Sequence, residues 1–335
     1  MKDIRNNART LMKGSCRVCP VCNGKACAGE VPGMGGLGAG ASFMSNLTAL
    51  ASVRLKMRVI HDAADVDPAC EILGQQLSMP VLAAPIGGVS FNMGGAITEG
   101  EYIRAVIHGA REAGTLGCIG DGVVDIILDE GLAAVREAHG AGIPFIKPWT
   151  DAEMLAKLER AAQAGARIVG SDLDAIGLVT LAKMGKPVSP RGQSRLRSLI
   201  EKCDLPFVIK GIMTPEDALL ALDAGAKAIV VSNHGGRVLD HTPGTAEVLP
   251  EVARAVKGKL CILVDGGIRT GVDVLKMLAL GADAVMIGRP VAVAAIGGGA
   301  AGVATYLGKL RSELISAMVL TGCQDLSSIG AHILC

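Results

Sequence analysis

The chain has 335 residues, of which 50% are hydrophobic, 19% charged and 2% aromatic, with a formal net charge of +1. That balance gives no electrostatic pull on nucleic acid or an acidic membrane surface, and so few aromatics leave no base-stacking platform. The length fits one large α/β barrel or two ordinary domains, with a core made of Ala, Val, Leu, Ile and Met.

Met1 to Lys13 is polar and mixed in charge, without the apolar stretch of a secretory signal. With ten cysteines in the chain, this predicts a reducing, cytoplasmic setting. Four of those cysteines follow at once as Cys16-x2-Cys19-x2-Cys22-x4-Cys27. Three readings fit that spacing: ligands of zinc or an iron–sulfur cluster, a redox dithiol pair, or buried thiols in a glycine-rich turn. The run is close to a ferredoxin pattern but places its fourth cysteine one residue later. Gly29 to Ala41 is dominated by glycine and small residues and reads as a mobile cover or a close-packed backbone layer. Residues 1–60 are therefore expected to be a segment packed on a barrel formed by 61–335.

From about residue 79, short apolar runs alternate with amphipathic segments. The runs are 79–84, 116–120, 143–147, 166–172, 206–210, 227–232, 259–265 and 283–287, which read as strands. Helical patterns lie at 99–113, 125–139, 151–165, 193–203, 215–225, 246–256, 271–281 and 300–320. Thr150 and Thr214-Pro215 mark two helix starts, and Gly165, Gly225 and Gly281 mark three ends. Eight alternating units predict a (β/α)8 TIM barrel, with a doubly wound open sheet as the competing architecture. Val31 to Val53 and Pro290 to Gly308 carry no charge, but both are broken by glycine. Neither is expected to span a membrane, and the second reads as a loop leading into the last helix.

The strand ends carry the chemistry: Ala84-Pro85-Ile86-Gly87, Gly120-Asp121, Lys147-Pro148-Trp149, Ser171-Asp172, Lys210-Gly211, Ser232-Asn233-His234, Asp265-Gly266-Gly267 and Gly288-Arg289. Polar groups at the C-terminal ends of several strands converge on one rim. After the last two strands, glycines beside Arg269 and Arg289 are suited to an anion, at the usual phosphate position of such barrels.

Ser232-Asn-His-Gly-Gly-Arg237 with Val-Leu-Asp240, Pro243-Gly-Thr, Asp265-Gly-Gly-Ile-Arg269-Thr-Gly271-x-Asp273 and Gly288-Arg289-Pro290 resembles the FMN-dependent α-hydroxy-acid oxidase and dehydrogenase family. The resemblance is dense over 206–290 and traceable over 55–205. It implies an enzyme that oxidises a 2-hydroxy acid to the 2-oxo acid with FMN as electron acceptor. It implies His234 as the proton-abstracting base, Arg237 on the substrate carboxylate, Asp172 as partner of the imidazolium and Lys210 beside the flavin. Asp265, Gly267, Arg269, Gly288 and Arg289 fall on the ribityl-phosphate positions. Pro85, Ile86, Gly87, Lys147 and Ser232 complete the expected cofactor shell. The partners implied are a small anionic substrate, oxygen or a redox protein as final acceptor, and further copies of the chain, as tetramers are frequent in the family.

The pattern also breaks. The family uses two active-site tyrosines, whereas Tyr102 and Tyr306 both fall in helical segments. Trp149 stands where a substrate-facing aromatic is expected, and Lys147 where a glutamine faces the flavin. The loop at 173–190 offers Lys183 and Lys186, followed by Arg191, in place of a second carboxylate-binding arginine. Two other functions fit the residues: isomerase-type chemistry on an FMN barrel, or a flavin and iron–sulfur redox module with the cysteines as its working part.

Overall fold

The computed structural model describes residues 1–186 and 188–335. An antiparallel hairpin, β1 (Cys70–Ile72) and β2 (Gln75–Leu77), precedes eight barrel strands. These are β3 (Val81–Ala83), β4 (Gly117–Ile119), β5 (Gly142–Ile146), β6 (Val169–Asp172), β7 (Phe207–Ile212), β8 (Ala228–Val231), β9 (Cys261–Val264) and β10 (Ala284–Ile287). Every neighbouring pair is parallel, and β10 closes on β3. All eight strands match the apolar runs, and closure excludes the open sheet.

Period two explains how one rim gathers the chemistry. Inside the barrel, Leu82, Cys118, Phe145, Val208, Val230, Leu263 and Met286 form one apolar cluster, sealed at its base by Ile72 and Leu77 of the hairpin. Their strand neighbours Ile209, Ile229, Val231, Ile262 and Val285 face outward into a second core against the helices. Two residues beyond Phe145, Val208 and Leu263, the alternation delivers Lys147, Lys210 and Asp265 to the inner mouth. The same step from Met286 delivers Gly288. Ser232, two residues beyond Val230, is buried and is the exception.

The helices are α1 (Lys2–Leu11), α2 (Ala41–Ser52), α3 (Val89–Asn92), α4 (Glu99–Glu112), α5 (Ile126–Glu137) and α6 (Asp151–Gln163), then α7 (Val179–Lys183), α8 (Gln193–Ile200), α9 (Pro215–Asp223), α10 (Thr245–Val256), α11 (Gly271–Ala279) and α12 (Arg289–Thr321). Thr150 and Thr214 accept hydrogen bonds from the amides of Glu153 and Asp217, as their positions predict. Gly165, Gly225 and Gly281 end their helices in the left-handed region.

The expected loop at 290–308 is instead the first half of α12, kinked at Gly299. Helix α1 accounts for its glycines: a Cβ on Gly297 would sit 2.1 Å from the Ile4 carbonyl, so glycine there permits backbone contact. Helix α12 has the length and apolarity to cross a bilayer, but more than half of that apolar window (56%) is buried in the protein.

Residues 12–40 contain no helix or strand and lie across the barrel mouth. The Leu37 amide donates to the Gly236 carbonyl (2.8 Å), and Asp240 accepts from the amides of Ala39 and Ser42. Asn46 of α2 and Asn233 exchange two buried side-chain bonds, of 2.8 and 3.2 Å.

Candidate active site

The mouth of the barrel opens into a cleft of about 1530 Å³, including its open solvent end. Pro85, Ile86, Gly87, Lys147, Asp172, Lys210, His234, Arg237, Asp265, Gly267, Arg269, Gly288 and Arg289 all line it. Of the residues expected around the cofactor, Ser232 does not. It is fully buried behind the rim, and its hydroxyl accepts the His234 amide at 3.0 Å.

His234, Gly235 and Gly236 have φ of 56°, 63° and 79°. Three successive left-handed residues reverse the chain directly after β8 and turn the imidazole back over the mouth. At a non-glycine residue such backbone costs about 1 kcal/mol or more, which is typical of a constrained functional position. A Cβ at Gly236 would lie 2.4 Å from the Phe43 amide, so this glycine also admits α2 against the turn.

The carboxylate that partners His234 is Asp174, with Nδ1 and Oδ1 3.0 Å apart, and not Asp172. Asp172, the last residue of β6, instead accepts from Lys147 Nζ at 2.6 Å. The physical reason is a short 3-10 turn, Leu173–Gly177, which carries Asp174 back across the mouth. Alternation along the strand cannot reveal such a turn.

Asp174 is held below the usual carboxylate range: burial opposes its charge, but His234, then Lys210, outweigh that penalty. Lys210 stays protonated for the reciprocal reason. Burial disfavours its charge, whereas Asp174, Asp265 and Asp172 favour it more strongly. His234 is displaced downward, first by burial, with Asp174 opposing. The imidazole is therefore neutral near pH 7, and its Nε2 is left for chemistry.

Two features show that the cleft fits a bound anionic cofactor. Lys210 donates no hydrogen bond among the described residues, and its closest carboxylate oxygens, on Asp174 and Asp265, are 3.7 Å away. Oδ1 of Asp265 and Nε of Arg269 are buried without a partner. Arg237, Arg269 and Arg289 also stand together, and none pairs with a carboxylate among the described residues. Burial, then repulsion from Arg237 and Arg269, lowers the Arg289 pKa to about 9; burial lowers that of Arg237 to about 10. Such a crowd of cations calls for an anion.

Arg289 and Arg237 also bind backbone carbonyls of the N-terminal segment. Arg289 donates to Met34 and Gly35 and to Gly235, and its guanidinium stacks 4.0 Å over the Phe43 ring. Arg237 donates to Gly33 and Gly35 and, at 3.0 Å, to Asn92 Oδ1, which leaves further N–H groups free for a ligand.

The opposite wall is self-contained. Asp121 is buried and accepts from Lys157 Nζ (2.9 Å), Trp149 Nε1 (2.5 Å), the Lys147 amide (3.1 Å) and the Gly122 amide (2.8 Å). Trp149 is consequently turned away and does not line the cleft, contrary to its expected role facing substrate. Neither tyrosine lines it either: Tyr102 is buried in α4, and Tyr306 donates to the Arg269 carbonyl. Helix α7 and its C-cap supply Thr180, Leu181, Lys183 and Met184 to the mouth.

Cys16, Cys19, Cys22 and Cys27 lie in the segment ahead of α2 and are all half-buried. All ten cysteines are free thiols, and burial pushes Cys16 and Cys27 up. No three of the four sulfurs come within 4.8 Å of one another. One tetrahedral zinc with bonds of about 2.3 Å would bring them to about 3.8 Å. Among the described residues, the one group of possible ligands that does converge is Asp172, Asp174 and His234, whose carboxylates are already served by Lys147 and Lys210.

Comparison with known proteins settles the family. The model of the FMN-dependent dehydrogenases matches residues 33–184 and 179–335. The chain belongs to that family. It is 33% identical to an L-lactate oxidase of Nostoc sp., over 89% of this chain and 91% of that one. It is 32% identical to the glycolate oxidase of Spinacia oleracea (87% of each chain) and 35% to a 4-hydroxymandelate oxidase of Amycolatopsis orientalis (89% and 90%). Among solved structures, a mandelate oxidase with (S)-2-phenylpropionate superposes with a TM-score of 0.80 at 32% identity, covering 100% of this chain and 97% of that one. The family match begins at residue 33, so the four N-terminal cysteines lie outside it.

Proposed function

We propose that this protein is an FMN-dependent oxidoreductase that converts a 2-hydroxy acid to the 2-oxo acid. The observation that carries this reading is the His234–Asp174 pair beside Lys210, in one cleft with three arginines that have no carboxylate partner among the described residues. Membership of the family supports it and gives no support to isomerase chemistry.

FMN, when bound, accepts the two electrons released at the substrate α-carbon. Arg269, Arg289, Gly267 and Gly288 would hold its phosphate, Asp265 its ribityl chain, and Lys210 and Lys147 its ring. Arg237 binds the substrate carboxylate through the N–H groups left over from Gly33, Gly35 and Asn92. His234 Nε2 takes the substrate proton, and the imidazolium so formed is stabilised at Nδ1 by Asp174. The two requirements of the base are thus separated: burial keeps it neutral before the reaction, and Asp174 supports its charge afterwards.

The purified protein is expected to be yellow and to release FMN on denaturation. Anaerobic addition of a panel of 2-hydroxy acids should bleach the flavin with at least one of them and yield the corresponding 2-oxo acid. A flavoprotein that no acid in a broad panel reduces would sink this reading.

A further inference from the structure

The four N-terminal cysteines fall outside the family match, and the proposed reaction uses none of them. They sit beside the same arginines that line the cofactor cleft. Cys22 Sγ is 3.7 Å from an N–H of Arg269, and Arg289 lies within electrostatic reach of Cys16, Cys22 and Cys27.

The segment that carries them lacks the usual means of holding a shape. Among residues 16–32 only Val18 and Gly24 are buried, so no apolar core fixes the loop. Its outside is tied instead: Arg5 and Arg9, one turn apart on α1, donate to the carbonyls of Cys19 and Val18. Arg17 and Glu30 close the loop with two bonds of 2.7 Å. These ties fix the backbone of the loop and leave the four half-buried thiols unlinked to one another. Small coreless segments of this kind depend on a staple.

The local backbone is that of a ligand turn. The Val18 amide donates to Cys16 Sγ at 3.4 Å, two residues back, and Val18 is a β-branched residue at φ 44°. That is a conformation a buried valine does not adopt without a compensating interaction. An amide aimed at a cysteine sulfur across a Cys-x2-Cys corner is how such corners wrap metal-bound thiolates, and hydrogen bonds to sulfur tune clusters. The Cys-x2-Cys-x2-Cys spacing is that of cluster-binding runs. The sulfurs are too widely placed for a single ion, whereas a cluster holds its thiolates farther apart because several irons lie between them. Four thiolates around a cluster carry net negative charge, and Arg269 and Arg289 stand where that charge would be met.

We propose that Cys16, Cys19, Cys22 and Cys27 ligate an iron–sulfur cluster at the phosphate end of the cofactor cleft. The test uses the full-length flavoprotein, purified without oxygen and then incubated with ferrous iron and sulfide. Iron and acid-labile sulfide should be found in equal amounts, about two to four of each per chain, with an electron paramagnetic resonance signal after dithionite reduction. The Cys19→Ser and Cys22→Ser variants should lose that signal and most of the iron while still binding FMN. Cys335→Ser, at the exposed far terminus, should keep both. Stoichiometric zinc, iron retained in Cys19→Ser and Cys22→Ser, or four reactive thiols without metal after incubation would each overturn the proposal. Flavin bleaching by hydroxy acids is scored separately, so a failure here leaves the proposed reaction standing, and the reverse holds too.

Discussion

The two walls of the cleft treat buried charge in opposite ways. On the β6–β9 wall, Lys210 stands 3.7 Å from both Asp174 and Asp265, with hydrogen-bonding capacity left over. On the β4–β5 wall, Asp121 accepts from Lys157, Trp149 and two backbone amides. Unfilled capacity beside a cavity suits groups that must bind or exchange something, because leaving it unmet has an energetic cost that a ligand relieves. Saturated networks suit a wall that only has to keep its shape. The difference assigns reaction to one side and support to the other, and substitutions can test each half.

The largest effect is expected at the imidazole. His234→Gln keeps a polar side chain but removes the base, and kcat should fall about a hundred- to ten-thousandfold. Flavin content, read from the visible spectrum, should be unchanged, since the residue serves proton transfer. Full activity in this variant would mean that the reacting wall has been misidentified.

On the supporting wall the expected loss is in stability. Asp121→Ala leaves Lys157, 6% exposed, with only Glu153 at 3.4 Å as an acidic neighbour. Breaking a buried pair in this way should cost about 3–5 kcal/mol in urea denaturation. Replacing both, as Asp121→Ala with Lys157→Met, should recover much of it, because the penalty is that of an uncompensated charge.

Asp174→Asn distinguishes a partner of the base from a mere neighbour. Losing one charge-assisted hydrogen bond should lower kcat about ten- to a hundredfold. Its pH signature has a definite sign. Asp174 raises the His234 pKa against burial, so its removal lets that pKa fall further. The base then stays neutral to lower pH, and the acid limb of kcat/KM should move to lower pH. Asp172→Asn, which frees Lys147 instead, should move that limb the same way but less, because Asp172 supports the imidazolium more weakly than Asp174 does.

The barrel was legible because strand alternation and helix ends are local signals. Lys147, Lys210 and Asp265 follow inward hydrophobes at i+2, so both their existence and their direction could be read. Asp174 was missed because a 3-10 turn, and not the strand, aims it. The saturated wall was missed for a related reason: Lys157 belongs to α6, and its meeting with Asp121 depends on how that helix packs. Residues 12–40 were legible in composition alone, since without periodic structure only their tertiary contacts with the arginines reveal where they lie.

Trp149 offers the smallest and most discriminating test of the comparison. Its position after the third barrel strand suggests a ring facing substrate, yet its N–H is spent on Asp121 and the residue is absent from the lining of the cleft. Trp149→Phe keeps an aromatic ring near Lys157, now 4.8 Å from the indole centroid, and removes only that N–H. Asp121 retains its lysine and two amides, so the loss of stability should be about 1 kcal/mol. If the wall is purely supporting, kcat and KM both stay within about twofold, below the worth of a single hydrogen bond to substrate. A rise in KM at constant kcat would show that the indole reaches the substrate in the bound state. The wall would then grip as well as support.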